Sequence, residues 1–397
     1  MADLPPQPSA GQRASALLPI SAGILAAFVG FGSTFTVVLA GFVAVGATGR
    51  QAASGLFAVS LVMGLLAIAL SLRSRVPITI AWSTPGSALL VATGAVAGGY
   101  EAVVGAYLVT AGLIVAAGVW RPFGRAVAMI PLPLASAMLA GVLLELCLAP
   151  VHAVAAMPAL ALPIVAAWAL ALRFVRRYAV PIAVVVTAVI VGLTTAMPPG
   201  ALAGAWPDPV LVMPAFTFNA AIGIGVPLFI VTMASQNLPG LAVLSANGYR
   251  ADLRTIFVST GLASVVTALL GGHSLNLAAI TAALCAGPEA HPDPGRRWIA
   301  SVAGGASYVL LAFGAGLAAA FIAASPPLLI EAVAGLALLG TLGQALTTAL
   351  ARDDDRLPAM VTFVTTASGI SILGIGAAFW GLLAGGALMA VLRFRPR

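Results

Sequence analysis

The sequence predicts an all-α membrane protein with about 14 transmembrane segments, arranged as two inverted repeats of seven. Three observations lead to this prediction. Hydrophobic residues make up 61% of the 397 residues and charged residues only 7%, with a mean hydropathy of +1.11. Apolar runs of about 20 residues, the length that lets a helix cross a bilayer, recur from end to end. The arginines fall almost entirely in the short stretches between these runs.

The apolar runs divide the chain into two halves of similar length. An N-terminal tail at 1–14 precedes the first repeat at 15–197, and a link at 198–213 leads to the second repeat at 214–392. The predicted segments of the first repeat are 15–45, 51–71, 77–97, 100–119, 131–150, 157–173 and 179–197. Those of the second repeat are 214–245, 254–271, 272–286, 298–323, 326–349, 357–373 and 376–392.

The positions of the arginines predict the orientation. With the N-terminus in the cytoplasm, all of the 18 basic residues except Arg50 fall on the cytoplasmic side. Both chain ends are therefore predicted to be cytoplasmic. Because seven is odd, the second repeat enters the membrane in the opposite direction to the first. The net charge of +7 reflects these loops, so the expected partner is membrane lipid and not nucleic acid.

Segment three is interrupted near its middle. A β-prone run at 78–81 precedes Trp82, and Thr84 followed by Pro85 is typical of an N-cap and a first helical position. A helix that begins at mid-membrane points free N–H groups and the positive end of its dipole into a cavity. We therefore predict half of an anion site here, with Trp82 either lining it or filling space beside it. The other candidate residues are Ser83, Thr84, Gly86 and Ser87.

Segment ten is interrupted at the matching position of the second repeat. About fifteen helical residues reach only ~22 Å, against a hydrocarbon core of ~30 Å, so its first residues must be extended. Asn276 is then predicted to cap a second half-helix, with the N–H groups of Leu275 and Leu277 near the substrate. Broken segments at matching positions of two repeats indicate the binding site of a transporter.

Segments eight and one supply further candidate residues. Gln236 and Asn237 are costly in a membrane unless they have partners, and the adjacent Pro-Gly pair favours substrate binding over helix–helix contact for them. In segment one, Phe28 and Phe31 could form an apolar wall, with Ser33 beside them. Ordinary packing of small residues between helices explains this second motif equally well.

His273 is the candidate proton-coupling residue, because it is expected at membrane depth and a histidine could take up a proton near neutral pH. A structural histidine bonded to the extended backbone is the alternative. The acidic run at 353–355 is interpreted as a solvated loop, and Arg296 and Arg297 as topology determinants. Cys147 and Cys285 lie in different segments. No nucleophile–base pair or metal-ligand spacing is evident, so the sequence predicts neither an enzyme, a metal nor a cofactor.

Several of these motifs resemble the benzoate:proton symporters, the BenE family. They include Ala81-Trp82-Ser83-Thr84-Pro85-Gly86 and the runs at 137–142, 232–240, 272–283 and 293–298. The resemblance extends over essentially the whole chain. It implies proton-coupled uptake of benzoate or a related aromatic carboxylate across the bacterial inner membrane.

The same resemblance implies the fold of the uracil/xanthine permeases and the sulfate/bicarbonate carriers. There a core of segments 1–4 and 8–11 moves against a gate of segments 5–7 and 12–14, and two copies often pair through the gate. The acid that segment eight carries in uracil-type carriers is absent from the run around Gln236. This difference favours an anion over a nucleobase. The alternatives are an anion channel or facilitator of this fold, or a carrier for nucleobases or inorganic anions.

Overall fold

The computed structural model describes residues 10–194, 206, 208–278 and 280–393, most of which are helical. Its elements, in chain order, are α1 Ala10–Ala44, α2 Gly49–Ser74, β1 Ile80–Trp82, α3 Thr84–Thr93, α4 Gly99–Val119, α5 Arg121–Ala128, α6 Leu132–Ala156, α7 Pro158–Phe174, α8 Ala179–Thr194, α9 Phe218–Ala246, α10 Leu253–Leu269, β2 Leu275–Leu277, α11 Ile280–Ala286, α12 Trp298–Ala312, α13 Ala315–Ala324, α14 Pro327–Ala349, α15 Arg356–Ala367 and α16 Ala377–Arg393.

The described helices fit a protein that crosses a membrane many times. Seven of them are long and apolar enough to span a bilayer, and α12 with α13, bent by 56° at their junction, would make an eighth. Three more, α7, α10 and α16, are apolar but shorter. The N-terminal tail and the inter-repeat link fall largely outside the described residues, although α1 already begins at Ala10 and Asp208 of the link pairs with Arg50.

The helices form two groups, and each helix packs mainly against other members of its own group. In the first group α12 packs against α1 and α2, and α4 against α10. In the second group α6 packs against α14 and α15, and α15 against α16. Glycines allow close approach in both. A Cβ on Gly305 would lie 2.7 Å from the Gly64 carbonyl oxygen, and one on Gly141 would lie 2.8 Å from that of Phe363. Backbones this close are typical of helix packing in membranes.

The acidic run at 353–355 is not uniformly solvated, which corrects the expectation from sequence. Asp355 is 2% exposed, and its carboxylate accepts a hydrogen bond of 2.7 Å from the Arg393 guanidinium at the end of α16. Arg352 lies 3.5 Å from the other carboxylate oxygen. The buried carboxylate lies immediately before α15 and bonds to the end of α16, so it joins the ends of these two helices.

In the first group of helices, α10 begins with a capped turn. The Asp252 carboxylate precedes α10 and accepts hydrogen bonds from the backbone N–H groups of Arg254 and Thr255 and from the Thr255 hydroxyl. The Thr255 hydroxyl is the main cause that holds the pKa of this carboxyl below its usual range. The cap satisfies two of the backbone N–H groups that open α10 and so fixes the start of the helix.

Candidate functional site

Two short strands cross at the centre of the molecule. β1 and β2 pair antiparallel, with Ile80 opposite Leu277, Ala81 opposite Asn276 and Trp82 opposite Leu275. The pairing extends by one bond at each end, from the Ala278 N–H to the Thr79 carbonyl at 3.0 Å and from the Ser83 N–H to the Ser274 carbonyl at 3.3 Å. Because each strand leads directly into a helix, α3 and α11 leave the pair at opposite ends with their N-termini directed at it.

Asn276 does not cap the second half-helix, which corrects the prediction. It lies in the middle of β2 and is fully buried, whereas α11 begins at Ile280. We orient its side-chain amide by its hydrogen-bonding neighbours, so that its oxygen accepts from the Ser83 N–H at 3.0 Å and its nitrogen donates to the Leu277 carbonyl at 2.7 Å. The extended stretch runs further than the sequence indicated, because it has a strand to pair with. Asn276 therefore stabilises the entry to α3.

Most of the backbone N–H groups assigned to the substrate are bonded within the protein. The Gly86 N–H donates to the Ser83 hydroxyl at 3.1 Å, because Ser83 and not Thr84 is the N-cap of α3. The Ser87 N–H donates to the Ser83 carbonyl at 2.8 Å. The residue after Thr84 is Pro85, which has no N–H. The start of α3 therefore offers a substrate mainly the positive end of the helix dipole and the Thr84 side chain. It does not offer a set of free N–H donors.

The N–H groups of β2 are also occupied. The Leu275 N–H donates to the Ser264 hydroxyl at 2.8 Å, and the Leu277 N–H donates to the Asn237 side-chain oxygen at 2.9 Å. Asn237 is fully buried and its amide nitrogen faces the Met233 sulfur. Asn237 therefore links α9 to β2 through a hydrogen bond. It lies behind the cavity lining and not at the substrate position predicted from the sequence.

A π-helical turn at Met233–Asn237 separates the roles of two neighbouring amides. Pro239 has no N–H to donate, so the carbonyl of Ser235 loses its usual partner and the helix widens there. An earlier π turn, Ala221–Gly225, likewise lies just before a proline, Pro227. The widened turn lets Asn237 reach β2 while Gln236 faces a cavity.

That cavity has a volume of about 520 Å³ and lies between the strand crossing and the second group of helices. Its size falls within the roughly 300–1,000 Å³ that is usual for small-molecule sites. None of the described residues that line it is Asp or Glu. Its walls are formed by Val29, Gly30, Ser33, Thr34, Ala81, Trp82, Thr84, Pro85, Trp168, Leu172, Arg176, Arg177, Ala179, Val180, Gln236, Ala278, Thr281, Leu284, Tyr308, Leu336, Ala337, Leu338, Gly340 and Thr341.

Four of the residues predicted from sequence line this cavity, and the others do not. The four are Ser33, Trp82, Thr84 and Gln236. Gln236 also lines a second cavity of about 500 Å³ on the side of α6. Phe28 is 57% exposed on the outer face of α1, so it forms no wall of the site. The remaining predicted residues lie behind the lining and are Phe31, Ser83, Gly86, Ser87, Asn237, His273, Leu275, Asn276 and Leu277.

Trp82 is held in one orientation by contacts on both sides. Its indole N–H donates to the Thr34 hydroxyl at 3.0 Å, and that hydroxyl in turn donates to the Gly30 carbonyl. Its ring meets Phe31 edge-on at 5.6 Å and Tyr308 edge-on at 6.1 Å. Phe31 therefore helps to orient Trp82 and does not itself line the cavity. The indole presents a fixed apolar face to the cavity.

Several lining residues were missed by the sequence reasoning. Tyr308 comes from α12, Trp168 from α7 and Thr341 from α14. Trp168 lies in an apolar run, and the glycines near Tyr308 and Thr341 are of a kind that recurs throughout the chain, so nothing local singles these residues out. Only the packing of distant segments brings them to the strand crossing.

His273 is buried behind α3 and does not line either large cavity. Its Nε2 lies 2.6 Å from the Ser87 hydroxyl, and its Nδ1 lies 3.1 Å from the Ser274 carbonyl. Because a carbonyl can only accept, this network assigns the ring proton to Nδ1 and makes Nε2 the acceptor of the Ser87 O–H. The ring packs against Phe42 and Tyr107.

A many-span membrane protein whose two broken segments meet beside an aromatic, acid-free cavity belongs to the class of membrane transporters. The particular family follows from comparison with known proteins. The model of the benzoate membrane transport protein family, BenE, matches residues 14–391, and the chain belongs to that family. Its members are transporters and not enzymes.

Two relatives align over nearly their whole length. The inner membrane protein YdcO of Escherichia coli (strain K12) is 39% identical over 378 residues, which cover 94% of this chain and 95% of YdcO. The benzoate membrane transport protein of Acinetobacter baylyi is 31% identical over 364 residues, which cover 92% of each chain.

Solved structures show the same fold at low sequence identity. The transmembrane domain of the cyanobacterial bicarbonate transporter BicA superposes with a TM-score of 0.59 and 14% identity, covering 93% of this chain and 98% of that domain. The murine anion transporter Slc26a9, in its inward-facing state, superposes with a TM-score of 0.63 and 12% identity, covering 96% of this chain and 69% of that one. The chain thus has the fold of the seven-plus-seven inverted-repeat transporters.

Proposed function

We propose that this protein takes up benzoate, or a related aromatic carboxylate, together with protons. The observation that supports this substrate best is the composition of the 520 Å³ cavity. Flat aromatic faces come from Trp82, Trp168 and Tyr308, and donors for a carboxylate come from Gln236 and Thr84. The positive end of the α3 dipole adds to these donors. A relative 31% identical to this chain is a benzoate membrane transport protein, which agrees with the proposal.

The lining of the cavity also argues against the alternative substrates. An inorganic anion such as sulfate would leave the aromatic walls without a partner. A nucleobase would lack the carboxylate that uracil-type carriers present to it, since no Asp or Glu is among the described lining residues. An anion channel of the same fold would use the same cavity, so the geometry does not distinguish it from a symporter. The difference is that a channel cannot accumulate the substrate against its gradient.

The proposed mechanism is an elevator. The helices that carry the strand crossing would form the core, and α6–α8 with α14–α16 the gate. The cavity lies between these two groups, so a sliding movement of the core would carry a bound carboxylate across the membrane. Cytoplasmic chain ends, location in the bacterial inner membrane and a homodimer paired through the gate stay predictions of the sequence and the family.

Uptake of labelled benzoate into proteoliposomes tests the proposed function. With an inward proton gradient we expect protein-dependent accumulation that collapses when an uncoupler is added. Liposomes without protein are the necessary control, because neutral benzoic acid crosses bilayers unaided. Flux that only equilibrates would instead indicate a facilitator, and the absence of protein-dependent flux would exclude benzoate as the substrate. Unlabelled sulfate and uracil should not compete.

For the proton we propose a route through His273. The Ser87 hydroxyl lies between its Nε2 and the first turn of α3, and Ser87 also lies 3.3 Å from the Ser83 carbonyl. Ser83 immediately precedes the cavity residue Thr84. The Ser87 hydroxyl thus joins the buried imidazole to the first turn of α3, the helix whose start lines the cavity. The competing route needs no protein group, because the proton would travel on the substrate as the neutral acid.

Replacing His273 by Gln separates the two routes. Glutamine can keep a hydrogen bond to Ser87 but cannot take up a proton, so we expect H273Q to exchange benzoate across the membrane without accumulating it against a gradient. Uptake is measured between pH 5.5 and 8, with H152Q as the control because His152 is exposed on α6. Unchanged accumulation and pH profile in H273Q would refute the histidine route and leave the neutral acid as the carrier.

A further inference from the structure

Two arginines lie at the edge of the cavity, although the sequence assigned their loop only to membrane orientation. Arg176 and Arg177 belong to the short 3-10 turn between α7 and α8, and both line the cavity. They are the only charged residues among its described lining. Both are exposed to solvent. Any anion that passes this edge therefore passes two cations.

Neither cation is neutralised by an acid within the described part of the chain. The ion pairs found there engage Arg50, Arg296, Arg352, Arg356 and Arg393 instead. Arg173 is close in sequence but does not line the cavity. It lies 5.9 Å from the Phe174 ring, as Arg177 lies 5.9 Å from the Tyr178 ring, so the two differ only in their position relative to the cavity. The loop thus offers a charged pair at the cavity and a matched arginine away from it.

The field of two unpaired cations acts on an approaching carboxylate before any direct contact. Clefts with apolar walls focus such a field and raise the local concentration of an oppositely charged ligand. The apolar wall is present here, since Leu172, Val180 and Leu336 line the same cavity. The interaction is screened over about 8 Å at physiological ionic strength but over about 30 Å at 0.01 M salt. An effect of these arginines should therefore depend strongly on salt.

We propose that Arg176 and Arg177 form an anion-recruiting site at the mouth of the cavity, on the side that the arginine pattern predicts to be cytoplasmic, which attracts the carboxylate of the substrate and holds it at that mouth. The site takes small organic carboxylates and selects them by charge, whereas the aromatic walls select them by shape. This inference rests on the proposed function and adds to it the residues that discriminate an anion from its neutral analogue.

Ligand binding to purified protein in nanodiscs of uncharged lipid tests the inference. Benzoate and the neutral isostere benzamide are titrated against wild type, R176Q/R177Q, R176K/R177K and R173Q, at low and high salt. In the double Gln variant we expect benzoate affinity to fall roughly threefold to tenfold at 0.01 M salt, with the loss largely gone at 0.5 M salt. Benzamide affinity should not change, R173Q should lose clearly less benzoate affinity than the double Gln variant, and the double Lys variant should retain most of the benzoate affinity.

The possible failures point to different causes. If wild type binds no benzoate, the proposed function is wrong and the inference falls with it. If wild type binds benzoate and R176Q/R177Q binds it equally well at low salt, only the recruiting site is refuted. An equal loss for benzamide would mean a structural role for the arginines. A variant that differs only in nanodiscs with anionic lipid would assign the arginines to the membrane surface and overturn the proposal.

Discussion

Replacing Asn237 by Leu is expected to abolish benzoate uptake and to destabilise the protein, whereas replacing the adjacent Gln236 by Leu should weaken substrate binding in a protein that remains folded. The Asn237 side chain is fully buried, and its oxygen accepts the Leu277 N–H at 2.9 Å. Leucine branches at the same atom but carries larger methyl groups and leaves that N–H without a partner, which costs about 1–3 kcal/mol. The bond also joins α9 to β2, so its loss loosens the strand crossing next to the cavity.

Gln236 differs because it lines the cavity. Removing its amide takes away one donor to the substrate carboxylate. A hydrogen bond to a charged group contributes about 1.5–3 kcal/mol, so the apparent affinity should fall about tenfold or more. Uptake kinetics and thermal unfolding in detergent, measured on both variants, separate the two roles. The assignment is wrong if N237L unfolds at the wild-type temperature and transports normally, or if Q236L is the less stable variant.

Replacing Arg297 by Gln should have the second large effect, this time on folding. Arg297 is 7% exposed, and its guanidinium donates to the carbonyls of His291 at 2.7 Å, Ala286 at 2.9 Å and Pro292 at 3.3 Å. The Ala286 carbonyl is at the C-terminal end of α11, where a positive charge is favourable. Arg297 is thus a structural residue that holds the half-helix and the loop after it, in addition to any role in topology.

Glutamine cannot reach all three carbonyls, so the loss should be about 3 kcal/mol or more. Lysine should restore only part of it, because one ammonium group lacks the fork of the guanidinium. The neighbouring Arg296 is the matched control, since it is exposed and its contact with Asp293 is a loose ion pair of 3.7 Å. Such surface pairs contribute about 0–1 kcal/mol. Thermal unfolding in detergent should rank R297Q well below R296Q, and equal melting temperatures would contradict the role given to Arg297.

The comparison of these neighbours shows what sequence patterns could predict and what they could not. Arg296 and Arg297 have the same loop, the same charge and the same sequence context, yet one is exposed and the other is buried among carbonyls. Gln236 and Asn237 are both amides in one helix, yet one faces the cavity and the other bonds to β2. Neither difference is visible in composition or spacing, because both depend on segments from elsewhere in the chain.

The sequence by itself determined the membrane character, the helical class and the fact that segments three and ten are interrupted by an extended stretch. These follow from local properties, since the cost of placing side chains in lipid, the missing N–H of proline and the length of a run all act within one segment. Only the tertiary structure decided that Asn276 supports α3 instead of capping α11, that Phe28 points away from the site, and that Trp168, Tyr308 and two loop arginines reach it. The physical reason is that the periodicity of a helix shows which residues share a face. The neighbour that each face meets depends on the packing of both repeats.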